Sequence, residues 1–141
     1  MSVVVDASVI IAVVVADERQ EASRALMEGW LESGAVMHAP AALPYEVADV
    51  LARLMFDGAL ELSAVADIWD GLAALGLVLY PFDLAEDGRE AASITGRLRR
   101  RHATDSTYLS LARRLGTAVW TLDAALARSA NARGLPVELV L

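Results

Sequence analysis

Val3-Val4-Val5-Asp6-Ala7-Ser8, followed at once by Val9-Ile10-Ile11-Ala12-Val13-Val14-Val15, is the stretch on which the fold turns. Three β-branched residues in a row make a short buried strand, and that strand ends on a carboxylate. The second run is also β-branched, so propensity alone favours another strand. Ser8 is placed to cap a helix, however, and the chain needs a turn after Asp6. The reading adopted is therefore strand, turn, helix, the opening unit of a parallel α/β sheet.

The rest of the chain repeats that alternation. Residues 19–33 form a helix with Ala22, Leu26 and Trp30 on one face, ended by Gly34, and Val36 to Ala39 is a second strand. Pro44 falls in the first turn of a helix over Leu43 to Phe56, stopped by Gly58. Ser63 caps a helix to Leu75, with Gly76 at its end. Leu77 to Tyr80 is a third strand. Pro81 and Asp83 turn the chain into a long helix that ends near Arg101. Thr104 caps the next helix, which runs to Leu115 and stops at Gly116. Ala118 to Thr121 is a fourth strand, Asp123 starts a last helix ended by Gly134, and Val137 to Val140 forms a fifth, edge strand. The expected fold class is α/β: a three-layer α/β/α sandwich around a mostly parallel sheet of four or five strands. No linker, repeat or low-complexity tract interrupts residues 1–141, so one domain is expected.

Composition narrows the function classes. Hydrophobic residues are 56% and charged residues 22% of the 141, enough apolar material for a sizeable core. The longest apolar stretch, Ala7 to Ala16, is too short to span a bilayer. No basic segment precedes an apolar run at the N-terminus, so no secretory signal is expected and the expected location is the cytoplasm. The absence of cysteine excludes disulfides, zinc-thiolate sites and thiol nucleophiles. A net charge of −7 argues against a protein that coats nucleic acid generically. All twelve basic residues are Arg, and four of them, Arg97, Arg99, Arg100 and Arg101, crowd together ahead of His102. Arg is suited to bidentate contact with phosphate or carboxylate.

Four acids carry the chemistry. Asp6 and Asp123 end or closely follow strands; Glu46 and Asp105 lie in the first turns of helices. In a parallel sheet all four fall at the carboxyl edge, where α/β sites are built. Each alone has an ordinary explanation as a helix cap or as an acid favoured by the helix dipole. Together they are like charges crowded on one edge, which calls for a cation. Oxygen ligands select hard divalent ions, Mg²⁺ or Mn²⁺, and that combination points to metal-assisted phosphoryl chemistry. Ser8 and Thr121 are placed to support the acids. Asp49 reads as a surface charge. Asp17, Glu18, Glu21, Glu28, Glu32, Glu61, Asp67, Glu86, Asp87 and Glu90 read as solvated helix faces. His38 and His102 lack metal-ligand spacing. Arg97, Arg99, Arg100, Arg101 and His102 have two readings: complement to a helix C-terminus, or contact with a phosphate backbone or an acidic partner near Asp105.

These motifs resemble the PIN-domain nucleases and, within them, the VapC-type toxins of prokaryotic toxin–antitoxin pairs. Val4-Val5-Asp6-Ala7-Ser8 looks like the first acidic motif, and Pro44-Tyr45-Glu46-Val47-Ala48 like the second. Thr104-Asp105-Ser106-Thr107-Tyr108-Leu109 looks like the third, and Val119-Trp120-Thr121-Leu122-Asp123 like the fourth. All four come in order and cover essentially the whole chain. Thr104 departs from the small or aromatic residue that often precedes the third acid, and no basic residue follows Asp123. The resemblance implies a Mg²⁺- or Mn²⁺-dependent ribonuclease with Asp6, Glu46, Asp105 and Asp123 as metal-binding catalytic residues. It also implies a homodimer and a cognate VapB-type antitoxin. Val50, Leu54, Met55, Ile68 and Trp69 are the apolar residues offered for self-association.

A receiver-type phosphoacceptor domain requires a late Lys, and the chain has none. A haloacid-dehalogenase-type phosphatase requires a second Asp where Ser8 stands. The competing reading from another class is a catalytically silent PIN-like domain that binds RNA or protein; a DNA-directed nuclease is a third.

Overall fold

The computed structural model describes residues 1–140; Leu141, the last residue of the expected domain, lies outside them. Five strands form one sheet: β1 (Ser2–Val5), β2 (Val36–Pro40), β3 (Val78–Tyr80), β4 (Val119–Thr121) and β5 (Val137–Leu139). The order across it is β3-β2-β1-β4-β5, and every neighbouring pair is parallel. A central strand covered on both faces should read as a continuous apolar run. Val3, Val4 and Val5 are accordingly all buried in the core. Full burial of such a side chain is worth about 1.5–3 kcal/mol, so a charge in this strand would be poorly tolerated.

Among the described residues seven helices flank the sheet: α1 (Ala7–Val14), α2 (Gln20–Ser33), α3 (Ala42–Phe56), α4 (Leu62–Ala73), α5 (Glu86–Leu98), α6 (Thr104–Leu115) and α7 (Ala124–Asn131). This is the expected α/β/α architecture, with the fifth strand present. α6 lies against β1 and β2 and carries α5 on its outer side, while α1 packs on β4, α2 and α3. Trp30 of α2 meets Trp120 of β4 edge to face, with ring centroids 5.7 Å apart.

Topology places the site. From β1 the chain steps to β2 and β3 on one side, then crosses back to β4 and β5 on the other. The direction of winding reverses between β1 and β4. Connections leave these two strands toward opposite sides, which opens a crevice at their carboxyl ends.

Several helix starts differ from expectation in the same direction: the residue before the helix lies one or two places earlier than the expected cap. Asp6 is the extended residue before α1 (φ −71°, ψ 148°), and Ser8 lies inside the first turn. Glu61, not Ser63, precedes α4. Thr104 is itself the first helical residue of α6. The helix expected to reach Arg101 stops at Leu98, because Arg99 adopts a left-handed conformation (φ 53°). Asp87, read as solvated, is buried; its Oδ2 accepts from the Asp83 amide at 2.7 Å, and its Oδ1 pairs with Arg114 at 3.0 Å.

Candidate active site

Asp6 stands at the mouth of the crevice, between the end of β1 and the start of α1. Its Oδ2 accepts hydrogen bonds from Ser8 Oγ at 2.7 Å and from Thr121 Oγ1 at 2.8 Å. Each hydroxyl has a second duty. Ser8 Oγ accepts from the Leu122 amide at 3.1 Å, and Thr121 Oγ1 accepts from the Asp123 amide at 3.0 Å. Two donors thus clamp one carboxylate and tie the ends of β1 and β4 together. Burial pushes the Asp6 pKa up, the two hydroxyls and the Ala7 amide pull it back, and Asp123 adds repulsion.

Glu46, expected in a first helical turn, comes from the second turn of α3, because the helix begins at Ala42. Its Oε1 accepts from the Tyr108 hydroxyl at 2.7 Å. Desolvation is the main cause that lifts its pKa to about 7; Asp6 and Asp105 add repulsion, and the Tyr108 hydrogen bond opposes them. Asp105, in the first turn of α6, pairs through Oδ2 with Arg100 Nη1 at 3.1 Å. Its pKa is also raised, first by desolvation and then by Asp6 and Asp123, against the pull of Arg100 and His102. Asp123 caps α7: its Oδ1 accepts from the Leu126 amide at 2.9 Å, while its Oδ2 lies 3.9 Å from Arg100 Nη1. Here the ordinary capping role and the acid-edge position are both real.

Asp6, Glu46, Asp105 and Asp123 line one open cleft of about 360 Å³. Asp49 and Arg53 line it too. Asp49, read from sequence as a mere surface charge, is exposed yet faces this cleft. It stands three residues after Glu46, and Arg53 seven after, so helical spacing was the available signal. Tyr108 of the third motif also reaches the site, through Glu46. Its position one turn after Asp105 was the clue to its contact with the same site.

The Arg cluster divides. Arg97 Nη2 donates to the Arg133 carbonyl at 2.8 Å, a tie between the ends of α5 and α7. Of the cluster, Arg100 alone pairs with acids of the cleft, Asp105 and Asp123. Arg99 and Arg101 are exposed and make no ion pair among the described residues, and His102 is exposed beside them. His38 is buried, with its Nδ1 2.9 Å from the Tyr80 hydroxyl, away from the acids.

The donor set is all oxygen, and three of its carboxyl groups are made costly by burial and by one another. That chemistry fits a hard divalent cation. The arrangement itself is open: among the described residues no three acidic or imidazole groups converge on one coordination point.

An all-parallel α/β sheet with four acids at its switch point defines an acid-centred α/β domain. Residues 3–132 match the PIN domain family, and the chain belongs to that family, whose members are generally nucleases. Twelve solved chains are similar in structure, among them the crystal structure of PAE2754 from Pyrobaculum aerophilum. That structure superposes with a TM-score of 0.65 at 18% identity, over 92% of this chain and 79% of its own. No curated protein matches the chain. No helix among the described residues is long and apolar enough to cross a membrane.

Proposed function

We propose that this chain is a Mg²⁺- or Mn²⁺-dependent endoribonuclease of the cytoplasm, acting as the toxin of a toxin–antitoxin pair. The observation that carries the hydrolase reading is the meeting of Asp6, Glu46, Asp105 and Asp123, from four separate segments, on one cleft at the β1/β4 switch point. The toxin assignment, the VapB-type antitoxin and the homodimer rest on the resemblance of the four ordered motifs to VapC-type proteins.

Asp6, Glu46, Asp105 and Asp123 are the residues that would hold the cation. When bound, it supplies a lowered water pKa and charge stabilisation on the phosphodiester. The chain's own residues do the positioning. Ser8 and Thr121 fix the Asp6 carboxylate through Oδ2, so its orientation is set before anything binds. Tyr108 fixes Glu46 through Oε1. Asp123 is held by the start of α7. Rigid first partners of this kind make a preorganised site, in which little reorganisation is needed at the moment of reaction. The substrate is polyanionic and the cleft is acidic, so a cation is also needed to invert the local field before RNA can approach.

The test is cleavage of an RNA pool with and without divalent ion. Activity is expected with Mg²⁺ or Mn²⁺, with none in excess chelator, and with loss by orders of magnitude in Asp6→Asn. Full activity in excess chelator would overturn the metal-dependent reading. Binding of RNA without cleavage under any divalent ion would favour the silent RNA-binding domain.

A further inference from the structure

Arg100 is the one member of the Arg97–Arg101 group whose guanidinium reaches the acids. Its Nη1 lies 3.1 Å from Asp105 Oδ2 and 3.9 Å from Asp123 Oδ2. It is delivered there by the break in α5. Arg99 takes up the left-handed conformation, which a residue with a Cβ adopts at a cost of about 1–2 kcal/mol. A helix that simply continued to Arg101 would not need that conformation. Arg53 lines the same cleft from α3 but makes no ion pair among the described residues. The positive charge in direct contact with the acid set is therefore that of Arg100, and it sits on the Asp105/Asp123 side. The two carboxylates it touches are among those a divalent ion would need. A guanidinium and a cation cannot both hold the same oxygens at full strength.

We propose that Arg100 is a resident countercharge, which occupies the cation position between Asp105 and Asp123 and is displaced when a divalent ion binds. It keeps the unloaded cleft from flying apart electrostatically, and it sets a threshold that metal must overcome. The inference rests on the metal-dependent reading given above.

Two measurements on the full chain test it. Mn²⁺ affinity is measured by calorimetry for the wild type, Arg100→Gln and Arg101→Gln, each checked for folding by circular dichroism. Arg100→Gln is expected to bind Mn²⁺ about tenfold more tightly at low ionic strength, the scale of one charge pair at a partly exposed site. Arg101→Gln is expected to match the wild type. The second measurement needs no variant. Phenylglyoxal labelling of Arg100 in the wild type, mapped by mass spectrometry, should rise when Mg²⁺ is added, while labelling of Arg101 stays level. Equal or weaker Mn²⁺ binding by a folded Arg100→Gln, or labelling of Arg100 that ignores Mg²⁺, overturns the role of Arg100 and leaves the nuclease reading intact. No Mn²⁺ binding by any of the three proteins overturns both.

Discussion

The Tyr108 hydroxyl donates to Glu46 Oε1 at 2.7 Å, joining α6 to α3 across 62 positions of sequence. Tyr108 is only 1% exposed, so its hydroxyl has no water to turn to, and Glu46 is the partner that makes its burial tolerable. The same bond fixes where the Glu46 carboxylate points.

Tyr108→Phe removes the donor and leaves the ring packing. The expected loss of stability is about 1.5–3 kcal/mol, the range for a hydrogen bond to a charged group, measured by urea unfolding above pH 7.5. The bond lowers the Glu46 pKa, so its removal should move that pKa further up, which carboxyl-carbon NMR titration reads directly. A Glu46 pKa that falls or stays fixed would show that the bond does not stabilise the carboxylate.

Glu46 also makes stability depend on pH. In the fold its pKa stands at about 7 against an ordinary 4.5. Between those values the folded chain holds a proton that the unfolded chain has released. Stability of the metal-free protein therefore falls as pH rises through that window, and Asp6 and Asp105, also raised, act in the same direction. Glu46→Gln has no proton to lose. In chelator its melting temperature should fall less than that of the wild type between pH 5 and pH 7.5. Parallel pH profiles for the two proteins would contradict the shift.

Thr121 is fully buried and is the joint of the Asp6 clamp: it donates to Asp6 Oδ2 and accepts from the Asp123 amide. Thr121→Val keeps the shape and removes both bonds. The expected cost is about 1–3 kcal/mol from unsatisfied groups, read by thermal unfolding. Ser8 still holds Asp6 in that variant, so the Ser8→Ala/Thr121→Val pair should cost more than either change alone. A neutral Thr121→Val would show that the Thr121 bonds of the clamp add nothing to stability.

The acid edge was legible because its signals are local. Val3-Val4-Val5 before Asp6 and Val119-Trp120-Thr121 before Asp123 mark strand ends, and the strand–helix alternation fixes which edge they share. The caps were less legible. Ser63 and Thr104 have the right chemistry for a cap, but Glu61 is the extended residue before α4, and at α6 the preceding Ala103 is itself helical. Shifts of one or two residues of this kind follow from tertiary packing, which the pattern does not encode. The end of α5 was illegible for another reason. Arg99 is not a residue type that announces a left-handed turn. Asp87 looked solvated because its partner, Arg114, lies on another helix, and a pair that distant in sequence leaves no spacing signal.

The break in α5 splits the Arg cluster into separate jobs, and this gives the sharpest test of substrate contact. Arg97 is engaged with the Arg133 carbonyl and Arg100 with Asp105, so neither is free for a phosphate backbone in this state. Arg99 and Arg101 are exposed and stand either side of Arg100 in sequence, a candidate rim beside Asp105. If single-stranded RNA crosses that rim, each contributes one phosphate contact, and each contact releases roughly 0.7 of a counterion. In an Asp6→Asn background, which blocks cleavage, Arg99→Ala/Arg101→Ala should reduce the slope of log affinity against log salt by about 1.4. Arg97→Ala in the same background should leave the slope unchanged and lower stability, because it removes a tie between α5 and α7. Equal slopes for all three proteins would remove the rim from the RNA path.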